Sequence, residues 1–262
     1  MATTLDRADA GTVKSVAKVL DILECLGAGR RPMSVSEVAR ATSINVSTAH
    51  RLLQTLARRG YIEQRAETRN YALGPRLLEL GSAYAGNQDL LRAALPHMEA
   101  LRDQLHETIH LGILSDGDVV EICNASGSQP VSVSMRTGRR DPAHCTAIGK
   151  VLLAALSEAE LDRFFARGPL MRATARSITS RPRLLKEIER ARRNGYALDE
   201  GELADELCCV GVPVVAASGR AVAGISIAMP KTRFKAQRVA GWVRLLTETS
   251  RRVAASVGPS HG

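Results

Sequence analysis

The sequence predicts an α+β fold in two parts, a small N-terminal winged helix-turn-helix and a larger domain of strands and helices. Residues 34–60 contain two short amphipathic helices separated by a polar turn. Two strand-like runs follow at 61–73, with Arg residues near the turn between them. Beyond residue 107, hairpin turns and alternating apolar residues are mixed with amphipathic helices, which indicates an antiparallel sheet covered by helices.

The first predicted element is an amphipathic helix upstream of residue 30. Its apolar residues recur at helical spacing at Val16, Val19, Leu20, Leu23 and Leu26. This helix supplies the third helix that a helix-turn-helix domain needs to form a core.

The two helices of residues 34–60 have recognisable ends. Ser34 and Glu37 form a capping-box pair, so a helix begins after Ser34. Asn45 is the predicted N-cap of the second helix, and Gly60 suits its end. The apolar residues of this second helix recur at i, i+3, i+4 and i+7, and they are Ala49, Leu52, Leu53 and Leu56.

The other face of the second helix is polar and basic, which is typical of a helix that enters the DNA major groove. Its side chains can donate to phosphates or contact base edges, and they are Ser47, Thr48, His50, Arg51, Gln54, Thr55 and Arg58. Two surface helices with a solvated polar face are the alternative interpretation. The upstream helix and the following hairpin favour DNA binding over that alternative.

The predicted hairpin consists of Tyr61–Arg65 and Arg69–Leu73, joined by a polar turn. Arg65 and Arg69 lie near its tip, where a wing contacts the phosphate backbone or the minor groove. The candidate DNA-binding residues are therefore Ser47, Thr48, His50, Arg51, Thr55, Arg65 and Arg69.

The charge distribution agrees with this placement. The net charge is +9, and residues 1–76 hold 12 Lys and Arg against 7 Asp and Glu. Residues 77–262 hold 24 against 20, so the basic excess per residue is larger in the N-terminal part. A concentrated basic excess is expected of a domain that binds nucleic acid.

The cysteines and the hydropathy pattern indicate the cellular compartment in which the protein is expected. The five Cys residues include no CxxC pair, and their odd number argues against a disulfide framework. The first residues contain no apolar run of the signal-peptide type, and no stretch approaches the roughly 20 apolar residues of a membrane helix. We expect a cytoplasmic protein with reduced thiols and no membrane partner.

Two helices are predicted to join the two parts of the chain. Pro75 suits a first helical position, and a helix follows over Arg76–Ala85. A second runs from Leu90 to Leu105, with Pro96 marking a kink or a break. The predicted organisation is a winged helix-turn-helix at 1–74, linker helices and the start of the sensor domain at 75–106, and the sensor domain proper at 107–262. The leucine-rich linker faces also suit pairing with a second copy of the chain.

The C-terminal part alternates between strands and helices. The predicted strands are Thr108–Leu114, Val119–Ala125, Val131–Met135, Tyr196–Leu198, Cys209–Val215 and Ala221–Ala228. The predicted helices are Ala147–Leu156, one opened by the Ser157 and Glu160 capping box, Arg183–Asn194 closed by Gly195, and Trp242–Val253.

On these segments the chain resembles the IclR family of bacterial transcriptional regulators over nearly its whole length. The most specific segments are 34–73, 142–150, 195–199 and 224–227. The resemblance implies an N-terminal winged helix-turn-helix, a helical linker and a C-terminal GAF-like effector-binding domain. It also implies homodimers, often paired into tetramers as a dimer of dimers, that bind palindromic double-stranded operator DNA.

The resemblance further implies an effector pocket in the C-terminal domain. By position, its lining is Val133, Ala147, Ile148, Asp199, Leu207, Cys209, Ser226 and Ala228. The loop before Gly149 would offer backbone amides at a helix start, which suits a carboxylate. The bulk of Ile148 and the missing hydroxyl at Ala228 argue against pyruvate or glyoxylate, and they favour an aromatic or larger organic acid.

Four other motifs are expected to be structural. Adjacent side chains such as His144 and Cys145 rarely form a nucleophile–base pair. Gly149-Lys150 lacks the GxxxxGK[ST] spacing of a phosphate loop. The run 199–202 is expected to be a solvated loop apart from Asp199, and 181–193 an exposed helix face. No His or Cys pair has zinc-site spacing, so no catalytic residue, metal or cofactor is predicted.

The function predicted from these features is an effector-responsive transcriptional regulator, specifically a repressor of an adjacent catabolic operon. Two alternatives remain open from the sequence. The same fold serves an activator, and an enzyme with a DNA-binding appendage is a separate class. No acid–base or metal constellation favours the enzyme.

Overall fold

The computed structural model describes residues 12–29, 31–86, 89–133 and 136–256. The chain divides into two compact units, Met1–Asn87 and Gln88–Gly262. No helix among the described residues is long and apolar enough to cross a membrane.

The N-terminal unit contains four helices and a two-stranded hairpin within its described residues. These are α1 (Lys14–Ala28), α2 (Val35–Ala41), α3 (Val46–Arg58), β1 (Ile62–Gln64), β2 (Tyr71–Leu73) and α4 (Pro75–Gly86). The core joins α1, α2, α3 and the hairpin through Ile22, Val38, Leu53, Ile62 and Tyr71, all of which are buried. Three helices followed by a hairpin are the predicted winged helix-turn-helix.

The predicted helix caps of this unit are confirmed. The Glu37 amide donates to Ser34 Oγ, and the Ser34 amide donates to Glu37 Oε2 at 2.8 Å, which completes the capping box. Asn45 Oδ1 accepts from the Thr48 amide at 2.8 Å and begins α3. Between the two helices Ser43 adopts φ of 55°, the left-handed conformation of a tight turn.

The hairpin is shorter than the sequence predicts. β1 and β2 each span three residues, because a turn occupies residues 65–70. The Arg65 amide donates to Asn70 O, and Arg69 takes φ of 58°, so neither arginine extends a strand. Met33 pairs with Tyr71 on the far side of β2, which attaches the hairpin to the start of α2.

The C-terminal unit is a six-stranded antiparallel sheet with helices on both faces. Its helices are α5 (Asp89–Leu105), α6 (Ala147–Ala154), α7 (Glu158–Phe165), α8 (Arg181–Asn194) and α9 (Val239–Ser256). Its strands are β3 (Thr108–Ser115), β4 (Asp118–Ala125), β5 (Arg140–Pro142), β6 (Ala197–Glu200), β7 (Leu207–Val215) and β8 (Ala221–Pro230). The strand order is β5-β4-β3-β8-β7-β6. Pro96 lies inside α5 without interrupting it.

One predicted strand is wrong. Residues 131–133 are not a strand, and Ser134 and Met135 lie outside the described residues. Strand β5 instead lies at Arg140–Pro142, where it pairs with the start of β4. The segment at Val133 is held by a side chain, since Thr108 Oγ1 donates to the Val133 carbonyl at 2.7 Å. The segment at Val133 therefore packs on the domain without joining its sheet, although its alternating apolar residues predicted a strand.

The two faces of the sheet have different coverings. Ile225 and Ile227 of β8 pack in the core formed with α5 and α9. Ser226, between them, points to the opposite face, where α6 packs on β7 and β8. Two glycines allow α6 to approach the sheet closely: a Cβ at Gly211 would lie 2.9 Å from Ala147 C, and one at Gly224 would lie 2.8 Å from Ile148 Cγ2.

Candidate functional site

The outer face of α3 is a polar and basic surface. Ala49, Leu53 and Leu56 are buried against the unit's core, as the spacing predicts. Thr48 is half-buried, and its amide donates to the Asn45 side chain. The exposed residues of the opposite face are Ser47, His50, Arg51, Gln54, Thr55 and Arg58. All the α3 residues predicted to contact DNA therefore lie together on one helix face.

The two wing arginines are exposed at the hairpin turn. Arg65 Nη2 lies 3.0 Å from Glu63 Oε1, and more than half of the Arg65 side chain is exposed. An exposed ion pair of this kind contributes less than about 1 kcal/mol. Arg65 can therefore exchange this carboxylate for a phosphate at low cost.

A cavity of about 40 Å³ lies between the start of α6 and the sheet of the C-terminal unit. Five of the residues assigned to the pocket line it, namely Ala147, Ile148, Asp199, Cys209 and Ser226. The other three, Val133, Leu207 and Ala228, pack with Ala147 and Cys209 in a small apolar cluster beside it. The structure thus brings all eight positions together.

Strand register builds the floor of the cavity. Asp199 of β6 pairs with Cys209 of β7, which pairs with Ala228 of β8. In the next row Ser226 of β8 pairs with His110 of β3. Side chains in these positions point to the α6 face, because residues two apart along a strand share a face.

A β-bulge adds a carboxylate to this floor. Leu111 pairs with Cys123 while Gly112 pairs with Glu121, so Ile122 is the extra residue on β4. The bulge reverses the alternation along β4 and turns Glu121 to the cavity face. There, Glu121 Oε1 lies 2.9 Å from His110 Nδ1, and both side chains are buried.

Asp199 is fully buried at the opposite side of the cavity. Its Oδ1 accepts from the Glu202 amide at 2.7 Å, whereas Oδ2 has no hydrogen-bond partner. Burial raises the pKa of this carboxyl from 3.8 to about 7, against the opposing effects of the Glu202 amide and the Lys150 charge. Asp199 therefore changes protonation near neutral pH.

The turn after Asp199 differs from the solvated loop that the sequence predicts. Lys150 of α6 is fully buried, and its ammonium group contacts the Glu202 carboxylate. Only 13% of the Glu202 side chain is exposed, and burial raises its pKa. The prediction was wrong for Glu202 because a buried lysine on a distant helix requires a counter-charge.

The first turn of α6 faces the cavity with free amides. Thr146 caps the helix by accepting from the Gly149 amide at 2.8 Å. The amides of Ala147 and Ile148 lie in the first turn, where no helical carbonyl four residues earlier can accept from them. Both residues line the cavity. This end of the cavity suits a carboxylate.

His144 and Cys145 do not form a nucleophile–base pair. His144 Nε2 lies 2.8 Å from the Met171 carbonyl oxygen. This ring nitrogen therefore hydrogen-bonds to the backbone. Burial raises the pKa of the Cys145 thiol to about 11, so it stays protonated at neutral pH. Within the part of the chain that the structure describes, no group of three His, Cys, Asp or Glu residues has metal-site geometry, and the five thiols are free.

The sequence missed three groups that line the cavity. His110 and Glu121 face it from β3 and β4, and Asp141 faces it from β5, where Arg139 pairs with it at 2.8 Å. Burial raises the pKa of Asp141. A His and a Glu inside otherwise apolar strands were the available signal, since buried charged side chains require partners.

Both units match known protein families. Residues 15–66 match the IclR helix-turn-helix domain, and residues 82–255 match the bacterial transcriptional regulator IclR C-terminal family. The chain is 36% identical over 247 residues to the HTH-type transcriptional regulator KdgR of Escherichia coli K12, with 94% of each protein covered. It is 29% identical over 245 residues to the HTH-type transcriptional repressor AllR of Salmonella typhi, covering 94% of this chain and 90% of the relative.

Solved structures agree with these matches. An IclR transcriptional regulator from Alicyclobacillus acidocaldarius superposes with a TM-score of 0.84 at 27% identity, covering 95% of this chain and 100% of the other. An IclR homologue from Microbacterium hydrocarbonoxydans, crystallised with 4-hydroxybenzoate, gives a TM-score of 0.79 at 26% identity over 92% and 98% of the two chains. The matched family segments contain both α3 and the cavity residues.

Proposed function

The chain belongs to the IclR family of bacterial transcriptional regulators, and from that premise we propose that it represses an adjacent catabolic operon until a small organic acid binds its C-terminal unit. It is a DNA-binding regulator with a small-molecule effector. The observation that carries the proposal is the exposed polar face of α3 beside two exposed wing arginines. A relative named as a repressor supports the sign of regulation, with activation as the alternative.

In this proposal α3 enters the major groove. Ser47, Thr48, His50, Arg51 and Thr55 contact base edges and phosphates, while Arg65 and Arg69 contact the backbone or minor groove. A homodimer, or a dimer of such dimers, places two copies of α3 on a palindromic operator. Exposed apolar residues of α1, such as Val16 and Leu20, support self-association.

The effector in this proposal is an aromatic or other carboxylic acid, bound in the cytoplasm. Its carboxylate would accept from the free amides of Ala147 and Ile148. The relative crystallised with 4-hydroxybenzoate supports this ligand class. An effector that binds one arrangement of the protein more tightly than the other shifts the DNA-binding equilibrium by that difference in affinity. The raised thiol pKa of Cys145 supports a role without catalysis.

Two arginine substitutions test the assigned DNA contacts. Arg51→Ala should reduce affinity for an operator duplex, recovered by selection from random sequence, by about 5- to 150-fold, with less loss on unrelated DNA. Arg65→Ala should weaken binding to both duplexes equally and reduce the slope of log affinity against log salt by about one. Titrations by fluorescence anisotropy at several salt concentrations measure both effects.

A matched control removes the same charge elsewhere. Arg167 is an exposed arginine of the C-terminal unit, paired with Asp116 at 3.4 Å. Arg167→Ala should leave operator affinity and the salt slope within twofold of the parent. Parental affinity in both Arg51→Ala and Arg65→Ala would contradict the proposed contacts.

A further inference from the structure

Three buried side-chain atoms among the described residues lack any hydrogen-bond partner, and all three lie at or beside the cavity. They are Asp199 Oδ2, His110 Nε2 and Glu202 Oε2. Asp199 and His110 line the cavity directly, and each is less than 4% exposed. Native proteins pair nearly all buried polar groups, so unpartnered atoms around one cavity indicate where a ligand supplies the missing partner.

The two lining atoms are both acceptors. His110 Nδ1 lies 2.9 Å from Glu121 Oε1, and the tautomer with the proton on Nδ1, which this contact favours, leaves a lone pair on Nε2. Asp199 Oδ2 is a carboxylate oxygen once the pH exceeds the Asp199 pKa of about 7. Each atom therefore requires a donor from the ligand.

The two acceptors require separate donors. Asp199 lies on β6 and His110 on β3, three strand positions apart in the sheet. One hydroxyl group has a single proton to donate and cannot donate to both acceptors, whereas two hydroxyls on one ligand can.

We propose that the effector is a polyhydroxylated carboxylic acid, whose carboxylate accepts from the Ala147 and Ile148 amides while separate hydroxyls donate to Asp199 Oδ2 and His110 Nε2. This inference rests on the proposed effector role of the cavity. It adds that hydroxyl groups, rather than the carboxylate alone, determine which acid binds. An unsubstituted acid of equal size would leave both acceptors buried without partners, which disfavours its binding.

Matched pairs of acids test the proposal with the full-length protein. The aliphatic panel compares C4 to C6 sugar acids, such as threonate and gluconate, with butyrate and hexanoate. The aromatic pair compares 3,4-dihydroxybenzoate with benzoate. Isothermal titration at pH 8 should show at least one hydroxylated acid binding ten-fold or more tightly than its unsubstituted partner. The panel that contains this acid identifies whether the effector is aliphatic or aromatic.

Asp199→Asn then separates a hydroxyl contact from a general loss of the pocket. The variant should reduce the ratio of affinities between hydroxylated and unsubstituted acids by about ten-fold, because an amide nitrogen replaces the accepting oxygen. Glu200→Gln, an exposed neighbour on the same strand, should leave that ratio unchanged. A variant that lost affinity for all acids equally would keep the ratio of affinities unchanged. A general loss of the pocket therefore does not produce the expected fall in that ratio.

Three results would overturn the inference: equal or tighter binding of the unsubstituted acids, no binding by any hydroxylated acid, or an unchanged ratio in Asp199→Asn. Operator binding distinguishes this failure from failure of the proposed function. If benzoate or hexanoate binds and releases the operator, the function stands and the polyhydroxylated effector does not. If the protein binds no specific operator in the absence of any acid, the proposed function fails instead.

Discussion

Replacing Lys150 with Met is expected to lower the free energy of unfolding of the C-terminal unit by about 3–5 kcal/mol. The Lys150 side chain is 1% exposed, and its ammonium group contacts Glu202. Met fills a similar volume but leaves Glu202 without a counter-charge, next to the buried Asp199. The chain has one tryptophan, Trp242, which is buried against the sheet of this unit. Urea unfolding followed by Trp242 fluorescence therefore reports this unit directly.

The charge interaction is isolated by a second substitution. Lys150→Met combined with Glu202→Leu should recover most of the lost stability, because an apolar pair costs no ion desolvation. Lys186→Met removes an exposed lysine from α8 and should change stability by less than about 0.5 kcal/mol. A double variant no more stable than Lys150→Met would show that the loss came from altered packing and not from an unpaired charge.

Asp199→Asn should become more stable relative to the parent as the pH rises. Burial raises the pKa of Asp199 from 3.8 to about 7, so the folded state holds its proton more tightly than the unfolded state. The stability from this protonation is fully present below pH 3.8 and is lost as the pH rises through 7. Between pH 5 and pH 8 the parent should lose about 2–3 kcal/mol that the variant, which has no proton to release, retains.

The measurement is the difference in unfolding free energy between variant and parent, taken from urea titrations at pH 5, 6, 7 and 8. Asn can preserve the acceptor for the Glu202 amide, so the turn is expected to keep its conformation. Glu200→Gln on the same strand should give a difference that does not change with pH. A constant difference for Asp199→Asn would mean that Asp199 does not titrate near neutral pH.

Local sequence rules predicted most helix ends. Ser34, Asn45 and Ser157 each cap a helix as expected, since capping depends on residues within one turn. The resemblance gave the pocket positions, which the structure brings together. Their proposed contacts with an effector remain predictions.

Features that depend on distant residues were not predictable from the chain. The orientation of Glu121 follows from a bulge at Ile122, which alternating hydrophobicity does not reveal. The pairing of Lys150 with Glu202 joins residues 52 positions apart. Val133 lies beside the cavity because of a hydrogen bond from Thr108, although its sequence suggested a strand. In each case tertiary contacts determine the outcome, and local propensity does not.

The most direct test of the account is selection of bound duplexes from a random-sequence DNA pool by the full-length protein, followed by sequencing. If two paired α3 helices contact the bases, the selection should enrich an inverted repeat. The centres of its half-sites should lie about one helical turn, or a multiple of it, apart. The same selection with Arg51→Ala should lose enrichment at positions within each half-site. Recovery of sequences no different from the starting pool, with binding that depends on salt alone, would contradict the central claim that this chain is a sequence-specific regulator.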